Sequence, residues 1–166
     1  MSINITKWAI LDAIRRSAAA AVLYAKHEGK TYFMTLQRAN THKWNHSLMY
    51  GPAETSKPKE PAKETMLRGL NEEAGLTQRD ILSLRSFHKP VSNVPDSHGY
   101  KCSSFLVEIS FEKLKQLQQE INQKKHDELG GARIVRRLGR INQKLFQPHG
   151  RQLIKPLIKF MQNRKL

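Results

Sequence analysis

The sequence predicts an α/β fold, and three observations predict it. Thr31 to Arg38 alternates, with Tyr32, Met34 and Leu36 on one face and Phe33, Thr35 and Gln37 on the other, which is the period of a strand. Met66, Leu67, Leu70 and Ala74 recur at helical spacing, and so do Phe111, Leu114, Leu117 and Ile121. Apolar runs of strand length stand between these two helical stretches. The 166 residues, 39% of them hydrophobic with two Trp and six Phe, suffice for one real core. No internal repeat, low-complexity linker or second unit interrupts them, so the expectation is a single domain over 1–166.

Taken in order, residues 1–17 read as a short amphipathic helical segment. Trp8, Leu11 and Ile14 fall three apart, and Thr6 is a candidate cap. Ala18 to Ala25 is an apolar run that reads as a buried strand. It follows Arg15-Arg16 but is too short, and lacks a cleavage region, for a signal peptide. His27-Glu28-Gly29-Lys30 is a turn in which glycine takes the left-handed position, so the Thr31 to Arg38 strand returns antiparallel to the first. Ala39 to Tyr50 is a polar loop holding Lys43 and Trp44 and ending in Leu48-Met49-Tyr50.

Glu60 to Leu76 reads as one helix. Pro61 suits the first helical position, where its missing N–H costs nothing, and Gly75 suits the left-handed stop. Arg68 and Glu72 are neighbours four apart on the helix surface, and Glu73 adds a second carboxylate. Two carboxylates at a helix C-terminus repel each other and oppose the dipole, an unfavourable placement unless a cation sits there. Hard divalent metals take oxygen ligands of this kind.

Beyond the helix, Asp80 to His88 and Tyr100 to Ile109 read as strands, separated by a loop with two prolines, Asp96 and His98. Ser110 caps a helix running to about Lys125. His126-Asp127-Glu128-Leu129-Gly130-Gly131 precedes a strand from Ala132 to Leu138. A basic helical region covers about 139–166, with Pro156 marking a kink or a helix start.

Charge narrows the partners. The net charge is +15, and residues 124–166 hold twelve Lys/Arg against Asp127 and Glu128. A field of that sign attracts polyanions such as nucleotides or RNA. The single cysteine, Cys102, excludes an intramolecular disulfide and fits a reducing, cytoplasmic setting; it reads as an inert strand thiol. No apolar run approaches a membrane span.

The helix around Arg68 resembles the Nudix box, G-x5-E-x7-R-E-U-x-E-E-x-G-U, with U a bulky aliphatic residue. Glu60, Arg68, Leu70, Glu72, Glu73, Gly75 and Leu76 match in register. Two positions depart. The glutamate after the arginine is Gly69, and the glycine six before Glu60 is replaced by Glu54, with Gly51 the nearest glycine. The second departure reads as a loop about three residues longer than usual, Gly51 to Glu60.

The resemblance implies an α/β/α sandwich with a mixed sheet and a loop–helix–loop motif. It also implies metal-dependent hydrolysis, with Mg²⁺ or Mn²⁺, of a nucleoside diphosphate linked to another moiety. Glu72 and Glu73 would be metal ligands, Arg68 would orient them, Glu60 would support an outer metal shell, and the Gly51 carbonyl is a candidate ligand. Arg38, Lys43 and Trp44 would lie near the substrate mouth, where an aromatic can stack a base; Trp44 could equally plug the core edge.

Gly69 leaves the carboxylate face incomplete. Glu64 points away from it and Thr65 is not an acid. Either a base comes from elsewhere, with Glu128 first and Asp127, Glu120 or His98 behind it, or the protein is a weakened module that binds nucleotide or RNA. His126 is a weak candidate for catalysis or ligation. Positive charge would favour nucleoside polyphosphates, dinucleoside polyphosphates or an RNA 5′ end.

Overall fold

Strand β1 (Ser17–His27) is the axis of the fold. In the computed structural model, residues 17–38, 48–49, 52–89, 101–124, 129–136, 157 and 159–163 are described. The expectations for 1–16, for the loop with Lys43 and Trp44, for Gly51, His98, His126, Asp127 and Glu128, and for most of 139–166 lie outside them.

A turn at Glu28 (φ 49°) and Gly29 (φ 71°) folds β1 back onto β2 (Lys30–Arg38). Both residues are left-handed, which matches the strand twist in a two-residue hairpin. The two strands pair only from Tyr24↔Phe33 to His27↔Lys30 and then part. Past that point the edge of β1 is taken by β4 (Ala53–Thr55), with Ala18↔Thr55, Ala19↔Glu54 and Ala20↔Ala53 in register. The same side of β2 takes β3 (Leu48–Met49), and its other side takes β7 (Leu129–Val135).

The opposite edge of β1 pairs parallel with β6 (Lys101–Glu108), which pairs antiparallel with β5 (Ser83–His88). The sheet is therefore mixed, as the sandwich requires. Cys102 sits half-buried in β6 opposite Ala18.

The alternation of β1 divides the core. Ala19, Ala21, Leu23 and Ala25 face helices α1 (Ala62–Ala74) and α2 (Phe111–Gln123), with Met66, Leu70, Leu114 and Leu117 completing that cluster. Val22 and Tyr24 face the other way, onto Phe33, Leu106 and Leu157, with Phe160 and Met161 at the rim. Residues 157 and 159–163 are helical and cover that second face, so helices lie on both sides of the sheet. Tyr24 donates to Glu108 Oε2 at 3.1 Å, and burial, together with that carboxylate, pushes its phenol up to about 12.

Helix α2 follows its sequence closely. Ser110 Oγ accepts the Lys113 N–H at 3.1 Å, and Leu114, Leu117 and Ile121 are buried. One side chain of α2 also closes a sheet edge: Asn122 accepts the Ala132 N–H (2.8 Å) and donates to the Ala132 carbonyl (3.1 Å). An amide supplying both partners of a ladder leaves that edge of β7 less open to another strand.

Several boundaries differ from the sequence reading. β1 begins at Ser17, the last residue assigned to the N-terminal helical segment. Glu54 lies in a strand, within the stretch read as one long loop. The strand expected from Asp80 starts at Ser83, because Gln78–Asp80 forms a 3₁₀ turn in which the Asp80 carboxylate takes the Thr77 N–H at 2.8 Å. β7 begins at Leu129, so Gly130 and Gly131 belong to the strand rather than to the cluster before it. Leu157 and residues 159–163 are helical, while Pro156, where a kink or helix start was expected, lies outside the described residues.

Candidate functional site

Helix α1 starts poorly and ends well. Pro61 stands one position earlier than expected, at the cap, because its ψ of 145° is extended. No side chain caps the helix there. The helix stops where Gly75 (φ 63°) turns left-handed, its N–H on the Asn71 carbonyl and the Leu76 N–H on that of Leu70. This double closure satisfies carbonyls the helix would otherwise leave open.

Arg68 is the centre of the polar network on α1. Its Nε meets Glu60 Oε1 at 3.1 Å and its Nη2 meets Glu60 Oε2 at 3.3 Å, a two-point grip. Nη2 also donates to the Thr55 carbonyl at 2.8 Å, which ties the helix to β4. Nη1 faces Glu72 Oε2 at 3.5 Å and Glu54 Oε1 at 3.6 Å. One guanidinium thus gathers three carboxylates from a strand, a turn and the helix itself. The bond to Arg68 holds the Glu60 carboxyl below its ordinary value, and Glu60 in turn raises Arg68.

The turn that delivers Glu60 is built locally. Glu60 N–H donates to the Lys57 carbonyl at 3.0 Å, Glu60 Oε2 accepts the Lys57 N–H at 3.1 Å, and Lys59 crosses into left-handed φ (62°) between them. Lys57, Lys59, Glu60, Glu64 and Arg68 line a shallow open depression there. Buried Thr65 is a structural tie: its hydroxyl meets Ser56 Oγ at 2.8 Å and the Pro61 carbonyl at 3.2 Å.

The structure brings together Arg68, Glu60 and Glu72 of the residues expected from sequence. Glu73 lies beside Glu72 in the last turn of α1, half-buried. Arg38 ends β2. Glu120 accepts from Gln116 on its own helix at 2.9 Å and takes no part in the Arg68 network. Sequence reasoning missed Glu54, Lys57 and Lys59. Glu54 did carry a signal, an acid standing where the box pattern has glycine.

An all-carboxylate set suits a hard cation such as Mg²⁺ or Mn²⁺ by donor chemistry. Among the described residues, no three His, Cys, Asp or Glu form a ready-made metal cage. Mg²⁺ at phosphate sites takes one or two carboxylates and fills the rest with water and substrate oxygens, so a partial set fits it.

The sequence profile of the NUDIX domain matches residues 14–155. The chain belongs to the Nudix family. A search of curated proteins finds no match to it. Solved structures share the fold. A mutT/nudix family protein from Listeria innocua is 16% identical with a TM-score of 0.67, over 90% of this chain and 96% of that one. Shewanella oneidensis NrtR is 16% identical with a TM-score of 0.64, over 91% of this chain and 65% of that one. The NUDIX domain of NrtR in complex with ADP ribose is 16% identical with a TM-score of 0.58, over 87% and 86%. At this identity the likeness is one of Nudix fold. Among the described residues, no helix is long and apolar enough to cross a membrane.

Proposed function

We propose that this Nudix protein is a metal-dependent hydrolase of a nucleoside diphosphate linked to another moiety. The observation that carries the reading is the convergence of Glu54, Glu60 and Glu72 on Arg68 at the box helix. The ADP ribose held by the Shewanella oneidensis domain is a ligand of that chemical class and supports the reading.

Glu72 and Glu73 would hold the cation, with Glu60 in an outer shell and the Gly51 carbonyl as a further ligand. Bound there, a divalent cation neutralises phosphoryl charge and lowers the pKa of a coordinated water. Arg68 fixes the carboxylates and gives up none of its own charge. Lys57 and Lys59 stand at the rim of the depression, where their ammonium groups can meet the outer phosphates of a long polyanion. Arg38, Lys43 and Trp44 are assigned to the substrate side, and Glu128 is the first candidate for a distant base.

Net charge of +15 favours nucleoside polyphosphates, dinucleoside polyphosphates or an RNA 5′ end over substrates with neutral tails. The test is a panel of these nucleotides with Mg²⁺ or Mn²⁺, products separated by chromatography, for the native chain and Glu72→Gln. Turnover in the native chain that Glu72→Gln abolishes is expected. Turnover that survives Glu72→Gln, or none on any substrate, contradicts the reading.

A second reading, a module that binds nucleotide or RNA without efficient turnover, is favoured by the same charge and by the lack of a side chain at Gly69. It predicts RNA affinity that falls steeply with salt, in a chain without turnover.

A further inference from the structure

We propose that Glu54 supplies, from strand β4, the carboxylate that the Nudix pattern places on the helix at position 69, and that Gly69 is glycine because Glu54 stands there. The inference rests on the hydrolase reading above and names a further metal-facing residue for it.

The two departures from the box pattern are reciprocal. Counting back from Glu60, the pattern's glycine falls on Glu54; counting on from Arg68, its glutamate falls on Gly69. Read as an inserted loop, the first departure has nothing to do with the second. The structure joins them. Glu54 sits in a paired strand opposite Ala19, and the ladder continues on both sides, from Ala21 N–H to the Pro52 carbonyl and from Ser56 N–H to the Ser17 carbonyl. The segment is pinned against β1, and it is pinned where α1 crosses it.

A Cβ at position 69 would lie 2.8 Å from Glu54 Cβ. Two such carbons do not approach that closely, and neither belongs to the movable end of a side chain. The two backbones leave room for one side chain between them. Glutamate at either position therefore starts only 2.8 Å from where it would start at the other, and glycine at the other is the steric condition for it. A glycine inside a helix otherwise costs up to about 1 kcal/mol relative to alanine, so its presence needs such a reason.

The carboxylate from β4 also arrives where it is needed. Glu54 Oε1 and Glu72 Oε2 flank the same nitrogen, Arg68 Nη1, at 3.6 and 3.5 Å. Oε1 further accepts the Thr55 N–H at 3.0 Å, which fixes the rotamer. Among the described residues Oε2 makes no hydrogen bond, and the side chain is one-quarter exposed. A held, partly exposed carboxylate beside Glu72 is suited to a cation or to a metal-bound water. It fills the incomplete face left by Gly69.

The test uses the full chain and two readouts, Mn²⁺ affinity by electron paramagnetic resonance of the free ion and the urea midpoint. Glu54→Gln keeps the volume and removes the charge. It is expected to weaken Mn²⁺ binding about tenfold or more, as Glu72→Gln does, with the fold retained. Gly69→Glu alone is expected to lower the urea midpoint. The exchange Glu54→Gly with Gly69→Glu is expected to recover both the midpoint and the Mn²⁺ affinity lost in the single variants. If Glu54→Gln binds Mn²⁺ like the native chain while Glu72→Gln does not, Glu54 is not a metal-facing residue and the hydrolase reading stands. If the native chain neither binds Mn²⁺ nor turns over any nucleotide, both fall together. If the exchange variant is no more stable than Gly69→Glu alone, the shared-space argument is overturned.

Discussion

Helices α1 and α2 each have 13 residues and lie on the same face of the sheet, yet they are built by opposite rules. α2 has a serine cap, a clean apolar stripe of Leu114, Leu117 and Ile121, and no glycine. α1 has no side-chain cap, a glycine inside, and Glu72 and Glu73 against the negative end of its dipole. Its charged residues are bound sideways to a strand and a turn through Arg68 rather than to its own helix alone. Where a sequence is locally consistent, it builds scaffold; where it breaks its own helix rules at several adjacent positions, those positions mark a functional or strained site. α2 stabilises the sheet, and α1 is the helix to which the proposal assigns the chemistry.

The contrast can be broken or sharpened by measurement. The largest effect belongs to the scaffold helix: Leu114→Ala is expected to cost about 2–5 kcal/mol in urea unfolding, because the residue is fully buried, while the folded variant keeps its Mn²⁺ affinity. A loss of affinity without a loss of stability would reverse the roles of the two helices. Next comes Gly69→Ala on α1. Helix propensity alone predicts a gain of about 1 kcal/mol. The 2.8 Å approach to Glu54 Cβ instead predicts a loss of about 1–3 kcal/mol, so the sign of the change is the readout. Ser110→Ala should remove about 1 kcal/mol from α2, and the matching change at the uncapped start of α1, Pro61→Ala, should cost less.

The smallest effect is in pH. Glu60 has its folded pKa lowered by Arg68, so the unfolded chain takes up the proton first as pH falls. The stability it contributes is fully present above the ordinary carboxylate pKa and is lost as pH drops through the lowered one. Urea midpoints between pH 3 and 7 should therefore fall less steeply at the acid end in Glu60→Gln than in the native chain. Parallel profiles would mean that the Arg68 grip adds nothing to folding.

The sequence made the two helices, the β1–β2 hairpin and the closing Gly75 legible, because each depends on spacing or turn chemistry within a few residues. It also singled out Arg68, Glu60 and Glu72, whose meeting follows from helix geometry and one short turn. β4 was not legible. Three residues show no period, and their strand character comes from pairing with Ala18–Ala20, far back in the chain. The start of β7 was hidden for a related reason: Gly130 and Gly131 look like a turn until β2 on one side and Asn122 on the other hold the strand in place. Glu54 was visible only as a departure from the box pattern, since its approach to Gly69 comes from the packing of β4 on α1.

The most direct measurement is a crystal structure of the chain grown with Mn²⁺ and a non-hydrolysable nucleoside polyphosphate, with the ion located by its anomalous scattering. The account predicts an ion bound beside Arg68 on the box helix, with Glu54 and Glu72 both turned to it directly or through water. An ion bound at that helix with Glu54 still held only by Arg68 and Thr55, or an ion bound elsewhere, would contradict it.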